Sequence, residues 1–164
     1  MSDLPPTPKG TPSVLRLPSV GPRPQARAAT RAAIRRTLAR WYGEAIALVE
    51  TPRGPAPDPA SPAGDIRISV TYACDDAWVA FHRGPVGLDA CPLADFPERD
   101  AVARLYLPAL PPASDLATFA LAWASHEARL KLAGLGLTEG AEAPPTPRLS
   151  AWTEGGVSLA LAWD

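Results

Sequence analysis

The chain has 164 residues, of which 46% are apolar, and its 16 basic and 17 acidic side chains leave a net charge of −1. This length supports one domain or two small lobes, and the balanced charge excludes a general attraction to nucleic acid or to a membrane surface. No apolar run approaches the roughly 18 residues of a membrane-spanning helix, the start lacks a secretory signal, and two cysteines make no disulfide framework, so we expect a cytoplasmic protein.

The first third of the chain alternates between proline-rich and helical patterns. Residues 1–25 hold seven prolines and predict a flexible or extended arm, with a short strand at residues 14–17. Apolar residues recur at helical spacing over residues 26–50 and predict one long helix. Residues 51–64, with five prolines and two glycines, predict a loop.

The central part of the chain predicts strands. Apolar and polar residues alternate over residues 65–73, and the strand pattern resumes over residues 77–83 after a turn at Asp75-Asp76. These segments predict a β-hairpin. A third short strand is expected at residues 86–90.

Two helices follow in the predicted order. Residues 97–107 form a short amphipathic pattern, with Val102 and Leu105 as expected core residues, and nearby prolines end it. A long helix is expected from Ser114, as its N-cap, to residue 132.

The last part of the chain predicts a second hairpin. Gly134 and Gly136 stop the long helix, and residues 138–147 form a proline-rich loop. Strands are expected at residues 148–152 and 157–163, on either side of a Gly-Gly turn. Each half of the chain is then a helix plus strands, which indicates an α+β protein of two similar lobes.

Two segments carry the residues suited to chemistry. Residues 84–89 read Gly-Pro-Val-Gly-Leu-Asp, and residues 123–131 read Trp-Ala-Ser-His-Glu-Ala-Arg-Leu-Lys, followed by Leu-Ala-Gly-Leu-Gly-Leu. Trp123, Glu127 and Lys131 are four residues apart and share one helix face. Taken alone, this spacing equally fits a core tryptophan beside an exposed Glu–Lys pair.

Together, the two segments resemble the signature blocks of the 4′-phosphopantetheinyl transferases. The family pattern is Val/Ile-Gly-Val/Ile-Asp, then Trp-x-x-Lys-Glu-Ala/Ser-x-x-Lys-x-x-Gly-x-Gly. The resemblance covers residues 27–164 and implies the α+β fold of that family, with two similar lobes in a pseudo-twofold relation, at about residues 26–84 and 85–164. Because Asp89 lies near mid-chain, the chain is similar to the two-lobed type, in an abbreviated version, with a coenzyme A site between the lobes.

The resemblance also implies an activity. These enzymes transfer the 4′-phosphopantetheine arm of coenzyme A to a serine of an acyl or peptidyl carrier protein in fatty acid, polyketide or nonribosomal peptide biosynthesis. Coenzyme A is the substrate and Mg²⁺ the cofactor. By resemblance, Asp89 and Glu127 are metal ligands, Glu127 is also a possible base for the serine hydroxyl, and Lys131 contacts a phosphate.

Three positions depart from the family pattern. Cys91 stands where many members have a second acid, and a thiol is a poor ligand for Mg²⁺. His126 replaces the family lysine. A neutral imidazole supplies no fixed positive charge, whereas an imidazole protonated beside the coenzyme phosphates would, and an exposed helix histidine is an equal alternative. Tyr72 aligns with a phosphate-contacting histidine of the family, and a core tyrosine is the other interpretation.

A basic row on the first predicted helix adds candidate contacts for the coenzyme. Arg27, Arg31 and Arg35 are four residues apart, so they share a face that could bind a phosphate or an acidic carrier protein, or could simply be solvated. No aromatic side chains are interleaved with them, which argues against single-stranded nucleic acid.

Two other functional interpretations stay open. The altered positions also fit a degenerate, non-catalytic family member that binds a carrier protein or a partner subunit, and an unrelated small α+β binding module is a third possibility. We expect neither a nucleic-acid nor a membrane partner, and either a monomer or a complex with a pathway protein.

Overall fold

A computed structural model describes residues 5–7, 10–111, 113–137 and 143–164. Eleven elements follow one another in these residues: β1 (Ser13–Leu17), α1 (Arg23–Tyr42), β2 (Leu48–Thr51), β3 (Gly54–Pro57), β4 (Arg67–Ala73), β5 (Asp76–His82), β6 (Val86–Pro92), α2 (Arg99–Tyr106), α3 (Leu116–Ala133), β7 (Arg148–Glu154) and β8 (Val157–Trp163). The chain is therefore mixed α and β, as the sequence predicts. It divides into two compact units, the first up to Val86 with Asp164, the second from Gly87 to Trp163.

The first unit is built on a three-stranded sheet in the order β1-β5-β4. Both pairings are antiparallel: Phe81 of the central strand β5 lies opposite Ser13 of β1 on one side and opposite Ile68 of β4 on the other. Helix α1 packs its buried side on this sheet, and the apolar core of the unit forms between them from seven fully buried or nearly buried residues: Ile34, Leu38, Ile46, Ala63, Ile66, Val79 and Phe81.

The short strand predicted at residues 14–17 of the proline-rich start is confirmed, and the helix that follows begins three residues earlier than predicted. Residues 13–17 are β1, a full partner of β5, and α1 begins at Arg23. The prolines flank this strand rather than interrupt it, which is why a sheet strand is compatible with the composition. Residues 1–4, 8 and 9 of the predicted arm lie outside the described residues.

The helix predicted over residues 26–50 is too long. Gly43 adopts the left-handed conformation (φ 75°) and its N–H bonds back to the carbonyl of Ala39, so α1 ends at Tyr42. The segment beyond it forms a small antiparallel hairpin of β2 and β3, where a helix was expected up to residue 50 and a loop from residue 51. Apolar residues at helical spacing continue past α1 as far as Leu48, so their spacing alone does not reveal that the helix ends at Tyr42.

The second unit has the three-stranded sheet β6-β8-β7 and the helices α2 and α3. Helix α3 packs on β7 and β8 through small side chains, since its buried core-facing positions are largely alanine. Asp115, rather than the predicted Ser114, caps the helix, because its carboxylate accepts a hydrogen bond of 2.7 Å from the backbone N–H of Thr118. Gly134 ends it in the left-handed conformation, as predicted.

The two units share one strand order. In each three-stranded sheet the first strand (β1 or β6) is separated by helix from a later hairpin (β4–β5 or β7–β8). The last strand of that hairpin, β5 or β8, lies in the middle of the sheet. Of the predicted loop 138–147, residues 138–142 lie outside the described residues. None of the helices in the described part of the chain is both long and apolar enough to cross a membrane.

Candidate functional site

One face of β6 is turned toward helix α3. Side chains alternate along a strand, so Gly87, Asp89 and Cys91 lie on the same face. At Gly87 the strand and helix backbones almost touch, because a Cβ added to this glycine would stand 1.9 Å from the carbonyl oxygen of Ala128 and 2.6 Å from the nitrogen of Leu132. The glycine of the first signature block therefore permits the close approach that brings Asp89 to the helix.

Asp89 and Lys131 form an ion pair across this junction. The Nζ of Lys131 donates to Oδ1 of Asp89 at 2.6 Å and to the backbone carbonyl of Leu88 at 3.1 Å. Asp89 is only 8% exposed, while the lysine side chain is about a third exposed. The lysine thus holds a nearly buried carboxylate and keeps part of its own side chain in reach of solvent.

Glu127 lies one helical turn before Lys131 on α3 and belongs to the same group. Its Oε1 is buried without a hydrogen-bond partner among the described residues. Burial raises the pKa of the Glu127 carboxyl, and the charge of Asp89 raises it further, while Lys131 opposes the shift. The structure therefore places the carboxylates of Asp89 and Glu127 within electrostatic reach of each other.

Cys91 continues the same face of β6 but adds no charge. Its side chain is buried in the apolar core of the second unit, and burial together with the charge of Asp89 raises the pKa of the thiol to about 11. At neutral pH the group is a neutral thiol, which is not a ligand for a hard cation. Asp95, a nearby loop acid, is exposed and pairs with Arg99 at 3.3 Å.

His126 is buried rather than exposed, so the alternative of a solvated helix histidine is wrong. Its side chain is 6% exposed and its ring lies 6.1 Å from that of Trp123 and 6.5 Å from that of Tyr106. Burial lowers the pKa of His126, and the charge of Arg129 lowers it further. The imidazole is thus neutral at pH 7 and cannot replace the charge of a lysine.

The candidate coenzyme contacts of the first unit lie around α1. Arg31 forms a bidentate pair with Glu50 on β2, with both N–O distances at 2.7 Å, and also donates to the carbonyl of Arg27. The hydrogen bonds from Arg31 lower the pKa of Glu50, with smaller contributions from Arg27 and Arg35. Tyr72, half-buried on β4, is close enough to affect the pKa of Arg31. Arg31 is therefore already engaged, and the row is partly neutralised.

Sequence reasoning missed two residues of these surroundings. Glu50 was placed inside a helix, and only the turn-forming Gly43 signals that it lies on a separate strand opposite α1. Arg129 was not singled out, although it follows His126 by three residues and so shares its helix face. Its Nε is buried without a hydrogen-bond partner among the described residues.

Within the described ranges, no group of three or more His, Cys, Asp or Glu side chains could hold a metal ion. The carboxylates at this junction are therefore a pair, Asp89 and Glu127, from a strand and a helix. Comparison of the chain with protein-family models and with curated proteins found no match.

Proposed function

We propose that the chain transfers the 4′-phosphopantetheine arm of coenzyme A to a serine of an acyl or peptidyl carrier protein, with the fold and pseudo-twofold lobe relation of that transferase family. One observation carries the proposal: of the three residues that the two signature blocks contribute, Lys131 pairs with Asp89, and Glu127 is near enough for the charge of Asp89 to raise its pKa. A strand–helix packing with no catalytic role has no need of two mutually repelling carboxylates in a nearly buried place.

The donor set suits Mg²⁺. Mg²⁺ prefers oxygen ligands and is usually held by one or two carboxylates together with substrate phosphates and water. Asp89 and Glu127 would supply the carboxylates, and the buried, unpartnered Oε1 of Glu127 is an acceptor that lacks a donor. When bound, the ion would neutralise charge on the pyrophosphate of the coenzyme.

Lys131 and Glu127 then have separate roles. The side chain of Lys131 is partly exposed and a lysine stem is flexible, so the ammonium can leave Asp89 for a phosphate oxygen when substrate binds. Burial raises the pKa of Glu127 towards neutral pH, and a general base works best when its pKa is near the working pH. The carboxylate would take the proton of the carrier serine as the serine oxygen bonds to the β-phosphorus and the phosphoanhydride bond to 3′,5′-ADP breaks.

A second candidate function is a non-catalytic family member that binds a carrier protein or partner subunit. The neutral, buried His126 and the protonated Cys91 favour it, because two positions that carry charge in the family carry none here. In that case the Lys131–Asp89 pair is a permanent structural contact, and Mg²⁺ is not required.

The test is to incubate the chain with coenzyme A, Mg²⁺ and a panel of apo carrier proteins and to measure the carrier masses. We expect the mass gain of one phosphopantetheine, lost when Mg²⁺ is chelated and in the Asp89→Asn and Glu127→Gln variants. Asp95→Asn, which removes an exposed loop acid, is the matched control and should stay active. No labelling and no Mg²⁺-dependent binding of coenzyme A would contradict the transferase, and metal-independent capture of a carrier would support the second candidate.

A further inference from the structure

A cavity of about 420 Å³ lies in the second unit between the chain that follows α2 and one face of α3. We call it the α2–α3 cavity. Its size is in the range of pockets that bind small molecules. On the helix side it is lined by Ala122, Ser125, His126 and Arg129, which follow the i, i+3, i+4, i+7 pattern of a single face. Glu127 and Lys131 do not line it.

One wall of the α2–α3 cavity is apolar. It is formed by Leu107, Pro108, Ala109 and Leu110, with Ala122 opposite them on the helix. These side chains offer no hydrogen bonds, so they favour the hydrocarbon part of a ligand over water. The volume has room for roughly a dozen water-sized groups, which fits a chain of medium length and no macromolecule.

The other wall carries two buried polar atoms that have no hydrogen-bond partner among the described residues. His126 is more than nine-tenths buried, and its Nε2 has no hydrogen-bond partner among the described residues. The Nε of Arg129 is likewise buried and unpartnered there, and the described residues give this arginine no ion pair. Both side chains line the cavity from one face of α3, and the charge of Arg129 lowers the pKa of His126. A buried N–H group left without an acceptor is unfavourable, and an anionic ligand would supply the acceptor.

We infer that the α2–α3 cavity binds a small monocarboxylate with an apolar tail of medium length. The guanidinium of Arg129 would pair with the carboxylate, and the tail would lie against the apolar wall. A carboxylate fits better than inorganic phosphate, because phosphate has no tail for that wall and keeps a strongly held hydration shell. The inference is independent of the proposed function, because it concerns a different face of α3 and its test measures binding alone.

The test is calorimetric titration of the intact chain with octanoate. We expect a dissociation constant below about 1 mM, and at least tenfold weaker binding of three probes: acetate and inorganic phosphate, which lack the tail, and 1-octanol, which lacks the charge. Arg129→Gln should weaken octanoate binding at least tenfold. Arg104→Gln, which removes an exposed arginine of α2 outside the cavity lining, is the matched control and should bind as the wild type does.

A second variant keeps the inference testable if Arg129→Gln fails to fold. Ala122→Leu fills part of the cavity with apolar volume and should weaken octanoate at least fivefold without removing any charge. Absence of octanoate binding up to about 10 mM would overturn the inference. Equal binding of octanoate and 1-octanol would also overturn it, because the cavity would then select the tail alone.

Discussion

Gly87 of β6 and Ala128 of α3 lie in backbone contact, so close that the space for a Cβ on Gly87 is already taken by the carbonyl oxygen of Ala128. A glycine is required at this point by packing and not by conformation, since Gly87 is not among the glycines with positive φ. The carboxylate of Asp89 reaches Lys131 because the two backbones are this close.

We expect Gly87→Ala to destabilise the chain by about 3 kcal/mol, because the added methyl group forces a backbone shift in a packed interior. The measurement is the free energy of unfolding from urea titration. Gly136→Ala is the matched control, since a Cβ there meets nothing within 4 Å and φ is not positive; its free energy of unfolding should change by less than about 0.5 kcal/mol. Equal effects of the two substitutions would show that the close approach is not real.

Removal of the lysine of the Lys131–Asp89 pair should be costly. Lys131→Met leaves the nearly buried Asp89 carboxylate without this donor, and we expect a loss of about 1–3 kcal/mol. Adding Asp89→Asn should restore much of the loss, and a double-mutant cycle measures the coupling. Arg99→Met, at an exposed pair with Asp95, is the comparison and should cost under about 1 kcal/mol. Simple additivity of the two site substitutions would contradict a direct pair.

Glu127→Gln should stabilise the chain at neutral pH. The pKa of Glu127 is higher in the folded state than in the unfolded state. The contribution of this group to the free energy of unfolding is therefore fully present below the unfolded-state pKa, and it is lost as pH rises through the folded-state pKa. The glutamine removes the buried charge and keeps the shape, and we expect a gain of roughly 0.5–1 kcal/mol at pH 7 that vanishes near pH 4. Thermal unfolding across this range checks it. A loss of stability at pH 7 would show that the carboxylate is well paired.

The pH dependence of stability should include a contribution from His126. The pKa of His126 is lower in the folded state than its ordinary value of 6.5. As pH falls through 6.5, the unfolded state therefore takes up a proton more readily than the folded state does. The stability that the neutral, buried histidine contributes above this pH is then lost. We expect the stability difference between the wild type and His126→Gln to change between about pH 7.5 and 5, and measurements of unfolding free energy across that range test it. A difference that is constant with pH would mean that the imidazole is solvated.

The buried position of His126 also predicts the outcome of replacing this histidine with lysine. His126→Lys places an ammonium in a nearly closed environment beside the Arg129 cation. We expect the lysine variant to lose about 2 kcal/mol of unfolding free energy at pH 7. His126→Gln, which introduces no charge, should lose less unfolding free energy at the same pH. Circular dichroism on heating, with both variants measured at pH 7, distinguishes them, and a lysine variant as stable as the wild type would contradict the burial.

Local patterns predicted much of this fold. The alternation over β4 and β5 and the glycines after α3 signal their elements directly, because strand faces and helix ends are properties of neighbouring residues. The hairpin of β2 and β3 was missed, since Leu48 of β2 continues the helical spacing of apolar residues and the prolines of β3 are typical of a loop. The partnership of β1 with β5 depends on residues some 60 positions apart, and no local signal contains it.

The candidate site shows the same division. The spacing of Glu127 and Lys131 on one helix face follows from helix geometry, and the approach of Asp89 was expected from the resemblance alone. The burial of His126 could not be predicted, because it depends on Tyr106, which comes from another helix. The engagement of Arg31 by Glu50 depends on the missed hairpin.

The position of β1 also matters for anyone who shortens the proline-rich start of the chain. Ser13–Leu17 covers one side of β5, whose residues from Ala77 to Phe81 pair with it. Removal of the residues before Ser13 keeps this cover, whereas removal through Leu17 bares a row of unpaired backbone groups on an apolar strand. Such an edge is a template for pairing with other chains. A shortened chain of that kind would be expected to aggregate, even though the acidic pair on β6 and α3 is left untouched.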